Sequence, residues 1–214
     1  MDSQEKKVLY HTTNTYETLN ELTDKTQNIW VVLHGIGFLS RYFLKYFDEL
    51  PPEENYIIAP QAPSKYYLKN EYRHVGASWL TKENTPLETE NVIAYLDAVL
   101  EAEKLPEDKQ FILFGFSQGV SIATRWLAER QLHCDHLVLY AGGIPSELTA
   151  HDFHFLQSDK TKVTVLVGNK DEYLNEERLK EESKKIDLLF RGKAEQRIFE
   201  GGHELKKELI NQLI

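Results

Sequence analysis

Ser117 lies at the centre of a five-residue motif that is typical of a catalytic nucleophile. The motif is Gly115-Phe116-Ser117-Gln118-Gly119, a G-x-S-x-G sequence between an apolar run and a segment of helical period. In a sharp turn from strand to helix the central residue has a strained backbone, and glycines two positions away on each side leave the space that the turn requires. A serine held in this way is placed to attack a carbonyl carbon. The alternative is a serine that only begins a helix.

His203 is the candidate general base for this serine. It follows the last predicted strand in the stretch Glu200-Gly201-Gly202-His203, where two glycines allow the loop to turn the imidazole back over the sheet edge. The alternative is a loop histidine at the start of a helix. His34 also follows a strand, but it precedes a glycine-containing loop and is expected to have a structural role.

Asp171 is the candidate carboxylate that would orient the histidine. It ends the stretch Gly168-Asn169-Lys170-Asp171 after another apolar run, and Glu172 is its nearest rival. A polar turn that merely starts a helix is the alternative interpretation. Serine, carboxylate and histidine then follow one another in the chain order expected of an α/β-hydrolase.

Two backbone N–H groups are candidates for binding a negatively charged oxygen. The Gln118 N–H lies at the start of the helix that follows the serine, where unpaired donors and the helix dipole favour an anion. The segment Leu33-His34-Gly35-Ile36-Gly37 ends another strand, and its Ile36 N–H is the expected second donor, with Gly37 as the alternative.

The same glycine-containing loop nearly matches a dinucleotide-binding fingerprint. The stretch at 35–40 follows the G-x-G-x-x pattern but ends in Ser40 where the fingerprint has glycine. The next strand also runs into Pro60-Gln61 with no carboxylate to hold a ribose. The sequence therefore disfavours nucleotide binding.

The elements that must position these residues alternate between apolar β-rich runs and segments of helical period. Strands are predicted at 29–34, 56–59, 111–115, 136–141, 162–168 and 196–200, with a weaker antiparallel edge near 8–12. Helical stripes lie near 43–50, 92–100, 120–127, 175–190 and 205–213, and Thr85-Pro86-Leu87-Glu88 predicts a helix start with Thr85 as the N-cap.

This order predicts an α/β fold with a mostly parallel, doubly wound sheet and helices on both faces. No repeat or composition break divides residues 1–214, so a single domain without a large lid is expected. In such a sheet ligands bind at the carboxyl ends of the strands, and the candidate serine, carboxylate and histidine each follow a strand.

Composition excludes several other classes of protein. The chain has 214 residues, 41% of them hydrophobic, and a formal net charge of −9. These values are typical of a globular protein and argue against a nucleic-acid partner. Cys134 is the one cysteine and cannot form an internal disulfide. The absence of an apolar leader or a long apolar run leads us to expect a cytoplasmic protein with no integral membrane association.

With these motifs placed, the chain resembles the phospholipase/carboxylesterase branch of the α/β-hydrolases, which includes acyl-protein thioesterases and small bacterial carboxylesterases. The resemblance rests on LHGIG at 33–37, GFSQG at 115–119, GNKD ending at Asp171 and GGH ending at His203. A weaker similarity is the stretch 73–79, which ends in Trp79. The chain departs from the family pattern at Phe38, where aspartate is usual, and at Val120, where a small residue is usual.

The resemblance implies a serine esterase or thioesterase that acts on small to medium acyl substrates without a metal or organic cofactor. Phe38 and Trp79 are then expected to contact the substrate, and the segment 144–160 is expected to cap the site. The aromatic side chains of that segment could serve either packing or substrate binding. The expected assembly is a monomer or homodimer. A non-catalytic binding protein of the same fold, or a peptidase or perhydrolase with the same three residues, stays open as an alternative.

Overall fold

A central seven-stranded sheet organises the chain. A computed structural model describes residues 3–69, 71–157, 161–173 and 176–214. The strands of the sheet are β1 (Tyr16–Leu19), β2 (Asn28–Leu33), β3 (Asn55–Pro60), β6 (Gln110–Phe116), β7 (His136–Tyr140), β8 (Lys162–Gly168) and β9 (Ala194–Phe199). Two further strands, β4 (Ser64–Tyr67) and β5 (Val75–Ser78), form a separate antiparallel hairpin.

The order of strands in the sheet is β1-β3-β2-β6-β7-β8-β9. All neighbours pair in parallel except β1, which pairs antiparallel with β3. The mostly parallel sheet predicted from the sequence is therefore confirmed, and the carboxyl ends of β6, β8 and β9 meet at one edge.

Helices cover both faces of this sheet. They are α1 (Ser40–Phe43), α2 (Thr85–Glu103), α3 (Gln118–Arg130), α4 (Glu176–Leu189) and α5 (Lys207–Asn211), with short 3-10 helices at Leu44–Tyr46 and His154–Gln157. Alternate residues of β2 belong to two separate cores: Val31 packs with α2 and α3, whereas Trp30 packs with the α1 region and α5. Burial on both faces explains why several of the predicted strands are apolar throughout.

The edge of the sheet differs from the sequence-based expectation. The antiparallel edge strand exists, but it lies at Tyr16–Leu19, whereas residues 8–12 form no strand and are exposed. The hairpin of β4 and β5 was not predicted, because all four residues of β4 are exposed and carry no buried periodicity.

The start of α2 also corrects the predicted cap. With Thr85 as the N-cap the helix would begin at Pro86, but it begins at Thr85, and Asn84 is the N-cap with a left-handed backbone of φ 48°. The Thr85 hydroxyl donates to the Thr81 carbonyl at 2.9 Å instead of capping the helix. The Thr-Pro-Leu-Glu sequence therefore identifies the start of α2 correctly to within one residue, and the N-cap lies one residue earlier than predicted.

The expectation that segment 144–160 caps the site is wrong for the part that the structure describes. Phe153 and Leu156 are buried in the core, and the Phe153 ring contacts Phe190 with centroids 5.0 Å apart. Ile144 is the residue of this stretch that reaches the cleft described below. Residues 158–160 lie outside the described residues.

The first turn of α3 packs unusually close to the end of β2. A Cβ placed on Gly119 would lie 2.0 Å from the Leu33 carbonyl oxygen, a backbone atom that has little freedom to move. A Cβ on Gly115 would lie 2.7 Å from the Gly119 carbonyl oxygen. Glycine at both positions is therefore required by the approach of strand and helix.

We predict that Gly119→Ala lowers the free energy of unfolding by about 3 kcal/mol or more, because its methyl group overlaps fixed backbone. Gly143→Ala is the matched control, since a Cβ there would meet only the Glu182 carboxylate, at an ordinary 3.5 Å. The free energies of unfolding are measured by urea denaturation followed by circular dichroism. Equal stability of the two variants would contradict the packing argument.

Candidate active site

The backbone at Ser117 is strained in the way that the motif predicts. Ser117 has φ 53° and ψ −118°, and its N–H donates to the Tyr140 carbonyl on β7 at 2.9 Å. A Cβ on Gly142 would lie 2.3 Å from the Ser117 carbonyl oxygen, and one on Gly35 would lie 3.0 Å from the Ser117 Cβ. Close backbone approach from two neighbouring loops therefore supports the strained turn.

The loops after β8 and β9 are joined to each other by their backbones. The Asn169 N–H donates to the Phe199 carbonyl at 2.9 Å, and the Lys170 N–H donates to the Gly201 carbonyl at 2.8 Å. The Asn169 side chain accepts from the Gly201 N–H at 3.2 Å. These bonds bring the loop of Asp171 against the loop that precedes His203.

Ser117, His203 and Asp171 form one hydrogen-bonded line. The Ser117 Oγ and the His203 Nε2 are 2.8 Å apart, and the His203 Nδ1 and the Asp171 Oδ2 are also 2.8 Å apart. The Asp171 side chain is fully buried, while the His203 side chain is 20% exposed. A neutral imidazole that donates to the carboxylate through Nδ1 leaves Nε2 free to accept the serine proton.

The rival carboxylate lies elsewhere. Glu172 is exposed, whereas Asp171 is the carboxylate within hydrogen-bond distance of the His203 ring. The second oxygen of Asp171, Oδ1, accepts the Tyr173 N–H at 3.0 Å, which fixes the orientation of the carboxylate. This arrangement matches the order of residues predicted from the sequence.

The backbone N–H groups of Ile36 and Gln118 have no hydrogen-bond partner among the described residues. The Gly37 N–H, the alternative candidate, donates to the Ala77 carbonyl at 2.8 Å. Ile36 and Gln118 also line the same cleft as Ser117. The geometry therefore favours Ile36 over Gly37 as the second donor to an oxyanion.

The side chain of Gln118 has a structural contact that the motif did not predict. Its Oε1 accepts the Trp79 backbone N–H at 2.9 Å, and its Nε2 donates to the Leu80 carbonyl at 2.7 Å. The Trp79 indole N–H donates to the His34 carbonyl at 2.8 Å. The segment after β5 thus connects the first turn of α3 to the loop that carries Ile36.

A cleft of about 780 Å³ opens beside Ser117, and Phe38, Tyr46, Phe116 and Ile144 are among its apolar walls. Phe38 therefore lies in the same cleft as Ser117, and its contact with a substrate stays a prediction. Trp79 does not line the cleft, and its side chain lies in the core at 1% exposure. The expectation that Trp79 contacts substrate is therefore wrong for this cleft. Its indole instead supports the loop that carries Ile36, through the hydrogen bond to the His34 carbonyl.

His34 has the structural role expected of it. Its Nε2 accepts the Ala62 N–H at 3.1 Å, so its Nδ1 carries the proton and donates to the Gly35 carbonyl at 2.8 Å. Burial lowers the pKa of His34 to about 4, although the bond to the Gly35 carbonyl opposes this shift. The neutral ring connects the Ile36 loop to the end of β3.

Two aromatic rings contact the His203 imidazole, and the sequence-based reasoning identified neither contact. The Phe116 centroid is 5.3 Å from that of His203 with an angle of 36° between the rings. The Tyr173 centroid is 4.8 Å away with an angle of 77°. Both residues are close in sequence to a predicted site residue, Phe116 next to Ser117 and Tyr173 two positions after Asp171.

Comparison with family models identifies the group to which the chain belongs. The model of the phospholipase/carboxylesterase family matches residues 14–214. The chain belongs to this family. The resemblance stated from the motifs is thereby confirmed, while a comparison with curated proteins finds no match.

Solved structures share the family fold at low sequence identity. Acyl-protein thioesterase 2 from Zea mays superposes with a TM-score of 0.69 at 15% identity, covering 94% of this chain and 96% of that one. A phospholipase/carboxylesterase from Dyadobacter fermentans gives 0.64 at 19% identity, covering 96% and 98%. A carboxylesterase from Bacillus cereus gives 0.63 at 16% identity, covering 93% and 91%. These similarities establish the α/β-hydrolase fold.

Within the described ranges, no group of three or more His, Cys, Asp and Glu side chains is arranged to hold a metal ion. Across the same residues, none of the helices has the length and apolar character needed to cross a bilayer.

We predict that the protein loses stability as the pH falls from about 6.5 to about 4. The unfolded chain binds a proton at His34 near pH 6.5, whereas the folded protein resists protonation until about pH 4, so acid favours unfolding. The depressed pKa corresponds to about 3 kcal/mol of stability that is present at neutral pH and lost at pH 4. Burial lowers the pKa of His136 to about 4 as well, in the same direction.

Urea denaturation at several pH values between 7 and 4 measures this loss. His34→Gln and His136→Asn should each flatten the dependence of unfolding free energy on pH, whereas His74→Gln, at an exposed position, should leave it unchanged. An unaltered pH dependence in both buried-histidine variants would contradict the assignment.

Proposed function

We propose that the protein is a serine hydrolase that cleaves carboxylic ester or thioester bonds of small to medium acyl substrates. The observation that carries the proposal is the line of two 2.8 Å contacts from the Ser117 hydroxyl through the His203 imidazole to the buried Asp171 carboxylate. Family membership and the α/β-hydrolase fold support the same reaction class.

The first step is acylation of the serine. His203 takes the proton of the Ser117 hydroxyl as its oxygen attacks the acyl carbonyl carbon, and the Asp171 carboxylate stabilises the imidazolium that forms. The Ile36 and Gln118 N–H groups bind the negatively charged oxygen of the tetrahedral intermediate. The intermediate collapses, His203 protonates the leaving alcohol or thiol, and the acyl group stays on Ser117.

Water completes the reaction in the second step. His203 removes a proton from water as the water oxygen attacks the acyl-serine, and the same two N–H groups bind the new oxyanion. Collapse of this intermediate releases the carboxylic acid and returns the proton to Ser117. The groups that act on the substrate and on water all belong to the chain itself, and no step requires a metal or organic cofactor.

The cleft supports acyl groups of short to medium length. Its volume of about 780 Å³ lies within the range of small-molecule sites, and the ring of Phe38 packs edge-on against Phe116 with centroids 5.9 Å apart. This apolar wall beside Ser117 favours a hydrocarbon chain over a charged group.

We predict that the protein hydrolyses p-nitrophenyl acetate and p-nitrophenyl octanoate, and that Ser117→Ala lowers kcat by about 10³-fold or more because the nucleophile is lost. An aryl phosphonate should label Ser117 in the unaltered protein, as read by mass spectrometry of the modified peptide. A peptide amide in the same panel tests for peptidase activity.

Ser121→Ala is the matched control, since Ser121 lines the same cleft but its hydroxyl donates to the Gln118 carbonyl at 2.9 Å. Its activity should stay close to that of the unaltered protein. Failure of the phosphonate to label Ser117, with no ester hydrolysed, would overturn the proposed function.

We predict that Phe38→Ala lowers kcat/KM for the octanoate ester about tenfold more than for the acetate ester, because the longer chain loses apolar contact at this wall. The ratio of the two kcat/KM values is the measurement, and thermal unfolding of the variant reports any loss of packing. An unchanged ratio would show that the acyl chain lies elsewhere.

A further inference from the structure

We propose that Tyr173 is a positioning residue that holds the His203 imidazole in line between Ser117 and Asp171 and shields it from solvent. The inference rests on the proposed function and adds a residue that belongs to none of the motifs. It starts from the contact between the Tyr173 ring and the His203 ring, whose centroids are 4.8 Å apart.

The loop that carries His203 needs such support. The residues before it are Gly201 and Gly202, and Gly201 has φ 158°, at the limit of the region that favours glycine. Gly201 is bonded to the loop after β8 at both its N–H and its carbonyl, so the freedom left to the imidazole lies at Gly202 and in the His203 side chain, where contacts with neighbouring rings limit it.

Those contacts come from the core and from the solvent side. Phe116 is buried at 3% exposure, so its ring supports the imidazole from within the protein. Tyr173 is 60% exposed and lines the cleft, so its ring limits movement of the imidazole towards solvent. The nearly perpendicular arrangement of the Tyr173 and His203 rings, at 77°, is one that aromatic pairs favour.

The backbone of Tyr173 is anchored independently of its ring. Its N–H donates to the Asp171 Oδ1 at 3.0 Å, and its carbonyl accepts from the Arg178 Nη1 at 3.1 Å. Substitution of the side chain therefore leaves both backbone contacts possible. The phenol ring can be tested separately from the loop that carries the carboxylate.

The ring rather than the hydroxyl carries the proposed effect. The contact with His203 is made by the aromatic ring, and the Tyr173 hydroxyl has no hydrogen-bond partner among the described residues. Phenylalanine should therefore replace tyrosine with little loss, whereas leucine, which lacks the planar ring, should not.

The experiment compares Tyr173→Leu, Tyr173→Phe and Tyr42→Leu. Tyr42 is 50% exposed and does not line the cleft, so it controls for the loss of an exposed tyrosine. Two measurements are made on each protein: kcat and KM with p-nitrophenyl acetate, and the rate at which diethylpyrocarbonate modifies His203, read by mass spectrometry of its peptide.

We expect Tyr173→Leu to lower kcat about five- to tenfold with KM within about twofold, because orientation of the base is lost while substrate binding is retained. His203 should be modified several-fold faster in this variant, since its imidazole is less covered. Tyr173→Phe and Tyr42→Leu should match the unaltered protein in both measurements. Loss of stability alone would expose buried histidines as well, so His34 would then be modified faster together with His203.

Two results would overturn the inference. Wild-type kcat and modification rate in Tyr173→Leu would show that the ring does not position His203. Equal impairment of Tyr173→Phe and Tyr173→Leu would assign the effect to the hydroxyl instead. If the unaltered protein neither hydrolyses esters nor binds phosphonate, the proposed function fails, while the modification rate still reports whether the ring covers His203.

Discussion

The closeness of α3 to the carboxyl end of β2 is the constraint on which the site depends. Gly119 lies against the Leu33 carbonyl, and this contact sets how far the helix sits above the sheet. The chain can enter the helix at this height only through a sharp turn, and Ser117 adopts φ 53° to make it. The same turn leaves the Gln118 N–H at the helix start without a partner among the described residues, so one turn presents both the candidate nucleophile and a candidate oxyanion donor.

The candidate site consists of two preassembled units. One is the β6–α3 turn, held by β7 through the bond from the Ser117 N–H to the Tyr140 carbonyl. The other is the pair of loops after β8 and β9, which bond to each other through Asn169, Lys170 and Gly201. The units meet where His203 contacts Ser117, so the parallel sheet acts as the frame that sets the separation between them.

The sequence allowed the fold class and the three residues of the hydrogen-bonded line to be predicted, because each of the three follows a strand and has glycine nearby. The residues around a position did not predict its contacts with residues far away in the sequence. Trp79 lies in the core, where its indole N–H donates to the His34 carbonyl, 45 positions earlier in the sequence. No pattern around Trp79 indicates this partner. Segment 144–160 was expected to cap the site, yet Phe153 meets Phe190 in the core, since an apolar pattern does not specify which face it covers.

The contacts of the Gln118 side chain link the β4–β5 hairpin to the turn that carries Ser117. Because the Trp79 N–H and the Leu80 carbonyl both bond to this one amide, the segment that leaves the hairpin is held at a fixed distance from the helix start. Exchange of the hairpin for that of another family member is therefore compatible with the site only if the graft ends before Ser78. In such an exchange residues 78–80 have to keep their own backbone positions, because they hold the Gln118 side chain.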